Sequence, residues 1–410
     1  MAKIYLEKNV LEATYERLEF IFNEFDNVYF SFSGGKDSSV MTQLATKVAK
    51  KLNRKFDILY IDLEGNYKST RKHVIEISKL EQIDKFYWVC LPIKLRNAVS
   101  QYQTHWVCWD ENYRKNGGKW IRTRPSNSVN INNYLDYGWD WFEEKMQFED
   151  FIVRFAKWYA TIKNGKVAAG IGIRANESLN RFRTIVNEKK ETYKDKQWTT
   201  LIKDTEKEVY NFYPLYDWET KDIWIATFKE NLIYNEFYEI MYKAGLSIHE
   251  TRLCQPYGDD QRASLDQFKF YEPETWGKVL MRVNGANFGN IYANSIATGT
   301  KYLYKPEHLT WQEYAIYLLE TIGSANYDLM IHYAQKIKKF LNWYREHENI
   351  DIIPDEADLH LEAKRKVPSW RRVCKMILKN DYYGKTLSFS QTQADDVKLN
   401  AILDKWSELV

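Results

Sequence analysis

The sequence predicts an α/β fold, a parallel sheet with flanking helices, followed by a mostly helical C-terminal region. Three observations predict it. Strand-like and helix-like segments alternate through about 65 residues near the N-terminus. The run Ile58-Leu59-Tyr60-Ile61 is apolar without a break, as in a strand buried on both faces. Beyond about residue 260 the apolar spacing follows a helical period almost throughout.

Taken in order, residues 11–25 are expected as a helix because Leu11, Tyr15, Leu18, Phe22 and Phe25 share one face. Residues 28–32 form a short strand. A helix starting near Ser38 buries Val40, Met41, Leu44, Ala45, Val48 and Leu52. The strand at 58–61 stops at Asp62, residues 69–80 are helical, and the strand at 86–91 ends before Pro92. Such repeats imply right-handed crossovers. Residues 100–140, rich in Trp, Asn, Arg and Gly, have no clear period and are read as an insertion. A helix around 145–163 leads to a strand at 167–173. Residues 186–207 alternate charges and are expected as a solvated hairpin or loop. Asp217 is placed to cap a helix over about 219–231, and helices follow at 309–322, 326–347 and 368–380. The expected domains are 1–260, an α/β unit carrying the insertion, and 261–410, a helical unit.

Composition excludes several function classes. With 17 Gly and 8 Pro in 410 residues, the chain is not a low-complexity or collagen-like protein. Lys and Arg number 59 against 56 Asp and Glu, so any polyanion site must be a local patch. Four cysteines at 90, 108, 254 and 374, with no CxxC, supply neither a disulfide framework nor a zinc ribbon. The charged start Met1-Ala2-Lys3 lacks the apolar core of a signal peptide, and no apolar run reaches the roughly 18 residues of a membrane span. A cytoplasmic protein without membrane contact is expected. Trp, Tyr and Phe number 15, 30 and 20, and most of them are read as core.

The strongest chemical signal is Ser33-Gly34-Gly35-Lys36-Asp37-Ser38, between a strand and a helix. The glycines let the backbone approach an oxyanion. The amides that follow open a helix, where unpaired N–H groups and the dipole favour phosphate. Ser33 and Ser38 add hydroxyls and Lys36 adds charge. Asp37 follows Gly35-Lys36 where a Walker A loop needs Ser or Thr, so that class is excluded.

This hexapeptide after an apolar strand resembles the signature of the PP-loop ATP pyrophosphatases, and the chain is most similar to their phosphoadenosine phosphosulfate (PAPS) reductase and ATP sulfurylase small-subunit group. Tyr60-Ile61-Asp62-Leu63-Glu64 is similar to the segment where that group contacts adenine and ribose. Gly172-Ile173-Arg174-Ala175-Asn176-Glu177-Ser178 is similar to its anion motif, and Pro214-Leu215-Tyr216-Asp217-Trp218 to one of its helix starts. Cys254-Gln255-Pro256-Tyr257 and Pro368-Ser369-Trp370-Arg371-Arg372 resemble a branch that includes immunoglobulin-binding regulator A. The resemblance implies a Rossmann-like adenine nucleotide alpha hydrolase fold, ATP and Mg²⁺ as ligands, and a ParB-like protein partner. It implies cleavage of ATP between the α and β phosphates, adenylating an acceptor or releasing AMP and pyrophosphate.

Under that reading Ser33 to Ser38 hold the pyrophosphate and Arg174 clamps the α-phosphate. Asp37 orders the loop or helps hold Mg²⁺, and Glu177 positions Arg174. Asp62 contacts ribose or caps its turn, and Leu63 offers backbone groups to adenine. Lys36, Asp37 and Arg174 are the catalytic candidates. Two alternatives stand beside it. A sulfonucleotide reductase needs an essential cysteine, yet the family's C-terminal Glu-Cys-Gly-Leu-His motif is absent; Cys254 is the better reactive candidate and Cys374 reads as a packed thiol. A nucleotide-sensing or DNA-binding module would use the basic, tryptophan-bearing runs 114–124 and 364–379. His105, Cys108, His249 and Cys254 supply a zinc site only if their segments meet; buried singletons are the plainer reading.

Overall fold

A computed structural model of the chain describes residues 6–98, 100, 103–203, 208–243, 245–253, 255–258, 271–283, 305–306, 308–325, 327–379, 381–390, 392, 394, 397–398 and 401. Two compact units divide the chain. Met1–Arg96, His105–Gln261 and Gln267–Val283 form one; Asn97–Thr104, Arg262–Asp266 and Asn284–Val410 form the other.

The first unit opens with α1 (Val10–Glu24), capped by the Asn9 side chain, which accepts from the N–H groups of Leu11 and Glu12 at 3.0 Å. There follow β1 (Asn27–Phe32), α2 (Lys36–Lys51), β2 (Phe56–Ile61), α3 (Lys68–Ile77) and β3 (Ile83–Cys90). Next come the short β4 (Lys94–Arg96), β5 (His105–Val107), α4 (Glu111–Lys115) and β6 (Val129–Asn130). The unit continues through α5 (Phe148–Ile162), β7 (Val167–Ile171), α6 (Leu179–Val186), β8 (Thr199–Ile202), β9 (Val209–Phe212), α7 (Thr220–Lys229) and α8 (Phe237–Lys243), with α9 (Pro273–Arg282) closing it.

Seven strands make one sheet in the order β6-β3-β2-β1-β7-β9-β8. Every neighbouring pair is parallel except β8 with β9. The chain builds outward from β1 through β2 and β3, then returns to place β7 on the other side of β1. That reversal makes the C-terminal ends of β1 and β7 the switch point where open α/β sheets bind ligands.

Two sequence expectations are corrected. Within 186–207, residues 199–202 are the sheet's antiparallel edge, because Thr199 to Ile202 pair with Phe212 to Val209; β9 itself carries too short an apolar run to announce a strand. Asp217 does not cap α7. Glu219 does, in a reciprocal capping box with Asp222, while Asp217 takes a two-pronged ion pair from Arg17 at 2.6 and 2.8 Å. The insertion is packed into the unit: Trp106, Trp109 and Trp139 are buried in it.

The second unit holds α10 (Trp311–Ala325), α11 (Tyr327–Glu348), α12 (Leu359–Ala363) and α13 (Trp370–Leu378). Ser369 caps α13 by accepting from Arg372 N–H at 3.1 Å. Tyr333, Ile337 and Phe340 of α11 pack with Val373, Met376 and Ile377 of α13 and with Trp311 in one core.

Candidate functional site

The loop after β1 closes tightly because its residues permit it. Gly34 has φ +76°, a left-handed conformation that favours glycine, and a Cβ there would lie 2.8 Å from the Thr70 methyl of α3. Ser38 Oγ accepts from Ser33 N–H at 3.2 Å and lies 3.0 Å from Ser33 Oγ. Gly35 stands at the N-cap of α2 with no side chain to satisfy the first amides. Gly172, just beyond β7, packs against the same turn; a Cβ on it would come within 3.2 Å of the Ser38 backbone. The two strand ends are thus drawn together by small residues on both sides.

Charge converges on this turn. Lys36 is buried, and its Nζ donates to the Thr251 carbonyl at 2.9 Å and lies 3.9 Å from Asp37. Burial pulls its pKa below the ordinary lysine value, against the opposing pull of Asp37. Arg174 is 3% exposed. Its Nε donates to Asp37, and its Nη1 donates to Asn176 Oδ1 at 2.8 Å and Thr220 Oγ1 at 3.3 Å. Arg252 adds a third cation and donates to the Glu177 carbonyl at 3.0 Å. Glu177 was expected to position Arg174, but its carboxylate pairs with Arg181 one turn along. Burial raises the Glu177 pKa, with Arg181 opposing.

Asp62 and Leu63 close β2 at the same sheet edge. Asp62 is 1% exposed; its carboxylate accepts from Trp88 Nε1 at 2.8 Å, from Glu64 N–H at 3.0 Å and from Arg122. Leu63 is half-buried. Glu64 is fully buried and gathers the insertion and α9, accepting from the Trp109 and Ile121 N–H groups at 2.7 and 3.1 Å and from Arg282 at 2.7 Å. In this structure the two carboxylates brace the sheet edge.

Several residues around the loop carry no sequence signal. Tyr238 Oη accepts from Lys36 N–H at 3.0 Å, across 202 residues of chain. Asn235 bridges Thr70 Oγ1 at 2.9 Å and the Gly34 carbonyl at 3.4 Å. Ser39 Oγ shares a 2.7 Å hydrogen bond with His73 Nε2, whose pKa burial lowers to about 4. None belongs to a motif; a helix-facing pattern finds His73 only as a core position.

Residues 27–245 match the phosphoadenosine phosphosulfate reductase domain, more than half of the chain. The chain belongs to the PAPS reductase family. Residues 245–350 and 341–398 of this family member match a domain of unknown function, DUF3440. The uncharacterized protein YbdN of Escherichia coli K12 is 36% identical over 397 residues, covering 96% of this chain and 93% of that one. Among solved structures, PAPS reductase of Candida auris, as a phosphate complex, is 14% identical with a TM-score of 0.31, over 58% of this chain and 94% of that one. The U34-tRNA thiolase NcsA of Methanococcus maripaludis is 13% identical with a TM-score of 0.31, over 75% and 88%. Likenesses this low carry nothing about ligand or reaction; the family match makes the α/β unit a nucleotide-utilising domain.

Elsewhere in this PAPS reductase family chain, the thiols that are described are free and buried. Cys90 and Cys108 are fully buried, and burial pushes both well above the ordinary thiol range; Cys374 is pushed up to about 12. Cys254 lies outside the described residues. Among the described residues no cluster of three or more His, Cys, Asp or Glu side chains is arranged to hold a metal. His105 and His249 are exposed while Cys108 is enclosed against the Leu91 and Ile93 carbonyls, so these three do not meet as zinc ligands. In the run 364–379, Lys364, Arg365 and Lys366 are exposed, whereas Arg371 is paired with Glu356 and Glu362 and Arg372 is 1% exposed. Among the described residues no helix is long and apolar enough to cross a membrane.

Proposed function

We propose that the α/β unit cleaves ATP between the α and β phosphates, transferring AMP to an acceptor or to water and releasing pyrophosphate. A nucleophile attacks the α-phosphorus; the bond to the β-phosphate bridging oxygen breaks and its electron pair leaves with pyrophosphate. The observation that carries the reading is the convergence of Lys36, Arg174 and Arg252 on a glycine-formed turn at the helix N-terminus. Ser33, Gly34, Gly35 and Ser38 seat the departing pyrophosphate, and Lys36 offsets its charge. Arg174 sits across the switch point, where its guanidinium can exchange Asp37 for an α-phosphate oxygen.

Asp37 is the carboxylate that fits Mg²⁺. One oxygen is held by Arg174, while the other is 3.9 Å from Lys36 Nζ, too long for a hydrogen bond. Mg²⁺ commonly takes one or two carboxylates together with substrate phosphates, and when bound it would neutralise the phosphate charge. Leu63 offers its backbone to adenine, and Glu177 keeps the cations in place through Arg181 and Arg252. Asp62 reaches ribose only by releasing Arg122. A ParB-like partner supplying or presenting the acceptor belongs to the same reading, on the resemblance alone. Reductase chemistry is less favoured, because the described thiols are buried and hard to ionise.

Incubation with α-labelled ATP and Mg²⁺, with and without the partner, tests the proposal. Labelled AMP or an adenylated acceptor is expected, together with pyrophosphate, reduced about 10²-fold or more in Lys36→Ala. Formation of ADP and orthophosphate alone would overturn it.

A further inference from the structure

Away from the phosphate loop, two adjoining cavities of about 560 and 790 Å³ open on the first unit and share Ile121, Arg122, Thr123 and Lys278. Lys68, Arg71, Lys72 and Lys79 line the first beside Arg122 and Lys278. Arg114, Lys119 and Arg124 line the second. Among the described residues the only carboxylate lining either cavity is Glu76. The sequence run 114–124 accounts for part of this charge; α3 and α9 supply the rest, and only folding brings them alongside.

Three guanidinium groups are held within the fold: Arg122 donates to Asp62, and Arg114 and Arg124 pair with Glu111. The ammonium groups of Lys79, Lys119 and Lys278 are exposed and open to an external anion. Lys68 and Lys72 pair with Glu274 and Glu236 at 3.0 and 2.9 Å, but both pairs are exposed and so readily exchanged for phosphate.

The charges are spread over both cavities. Lys68, Arg71 and Lys72 stand on α3 and Lys79 lies just beyond its end, while Lys278 lines both cavities and Lys119 the second. A compact oligophosphate needs cations that converge; an extended strand needs them in sequence. A duplex is read by elements that project into its grooves, whereas a recessed channel admits a single strand. Trp120 is not a free stacking platform, because Arg114 and Arg124 lie over its ring at 4.8 and 5.2 Å. Asn132 also lines the second cavity, while the Asn130 and Asn133 amides beside it are taken up by the Ser128 carbonyl and the Asn132 and Asn130 N–H groups. We propose that this channel binds a single-stranded nucleic acid through its phosphodiester backbone, independently of any nucleotide chemistry at the loop.

Fluorescence anisotropy of the full chain with labelled oligo(dT) and oligo(U) strands of about 20 nucleotides tests it. Binding is expected to weaken about 10²-fold between roughly 50 and 200 mM salt for six phosphate contacts. Lys79→Glu and Lys278→Glu, both exposed positions, should each weaken it about tenfold and flatten the salt slope by about 0.7. Circular dichroism checks that each variant is folded, and Arg71→Gln gives a third reading without charge reversal. Preference for one oligonucleotide over the other identifies the source, and either supports the channel. No binding at micromolar protein, unchanged binding in folded Lys79→Glu and Lys278→Glu, or equal binding of a duplex, inorganic triphosphate or polyglutamate of matched charge would each overturn it.

Discussion

Arg174 and Arg372 are buried to nearly the same degree, at 3% and 1% exposure, yet one faces the candidate site and the other is a structural staple. Arg174 gives its hydrogen bonds to the side chains of Asp37, Asn176 and Thr220. Arg372 gives its own to the carbonyls of Val367 and Thr386 and to Ser388 Oγ at the end of the same stretch, and lies 5.4 Å from the Phe340 ring centre. Side-chain acceptors can turn away and yield their place to phosphate. The Val367 and Thr386 carbonyls are fixed in the helical unit itself, so the guanidinium on them holds the chain around α13. Burial of an arginine therefore says little about its task; its surroundings say more.

The largest expected effect is on rate. Arg174→Ala should lower pyrophosphate release about 10²–10³-fold, and Arg174→Lys should recover little because a point charge does not reproduce the forked contact. An alanine variant with unimpaired turnover would break the comparison from the site side. Next comes stability. Arg372→Ala should cost about 3 kcal/mol by leaving buried carbonyls unpaired and removing the stem packed on Phe340. Urea unfolding followed by tryptophan fluorescence measures it, and turnover per folded molecule should hold steady. A loss under about 1 kcal/mol would show that Arg372 is no staple.

A smaller effect lies in pH, where guanidinium groups offer no switch. His73 is neutral when folded because burial lowers its pKa from 6.5 to about 4. The unfolded chain then binds the extra proton first, so this contribution is present above about pH 6.5 and is lost as pH falls toward 4. It amounts to about 3 kcal/mol over that window. His73→Gln should flatten the slope relative to the parent chain; parallel slopes would remove His73 from the account.

Legibility differed sharply between kinds of feature. The early strands and helices and the Ser33–Ser38 turn could be read because each rests on local chemistry: an apolar period, a glycine pair, a helix start. The edge pair β8 and β9 could not, since its four-residue strands gain their meaning only from pairing. Asp217 looks like a cap by position, but Arg17 reaches it from 200 residues away. The insertion shows no period in the sequence, yet Trp109 within it is fully buried, with its indole N–H on the Asp62 carbonyl at 2.6 Å.

By itself, then, the sequence determined the alternation of elements, the position of the Ser33–Ser38 turn at a strand end and its departure from a Walker A pattern, because steric periods and backbone freedom act within a few residues. Only the tertiary structure decided which charges meet. It set Tyr238 and Thr251 on Lys36, turned Glu177 to Arg181, sank Arg372 into a helical core and brought cations of α3 and α9 to one cavity. Electrostatic partnership depends on distances of a few ångströms between residues far apart in the chain, and folding alone supplies those distances.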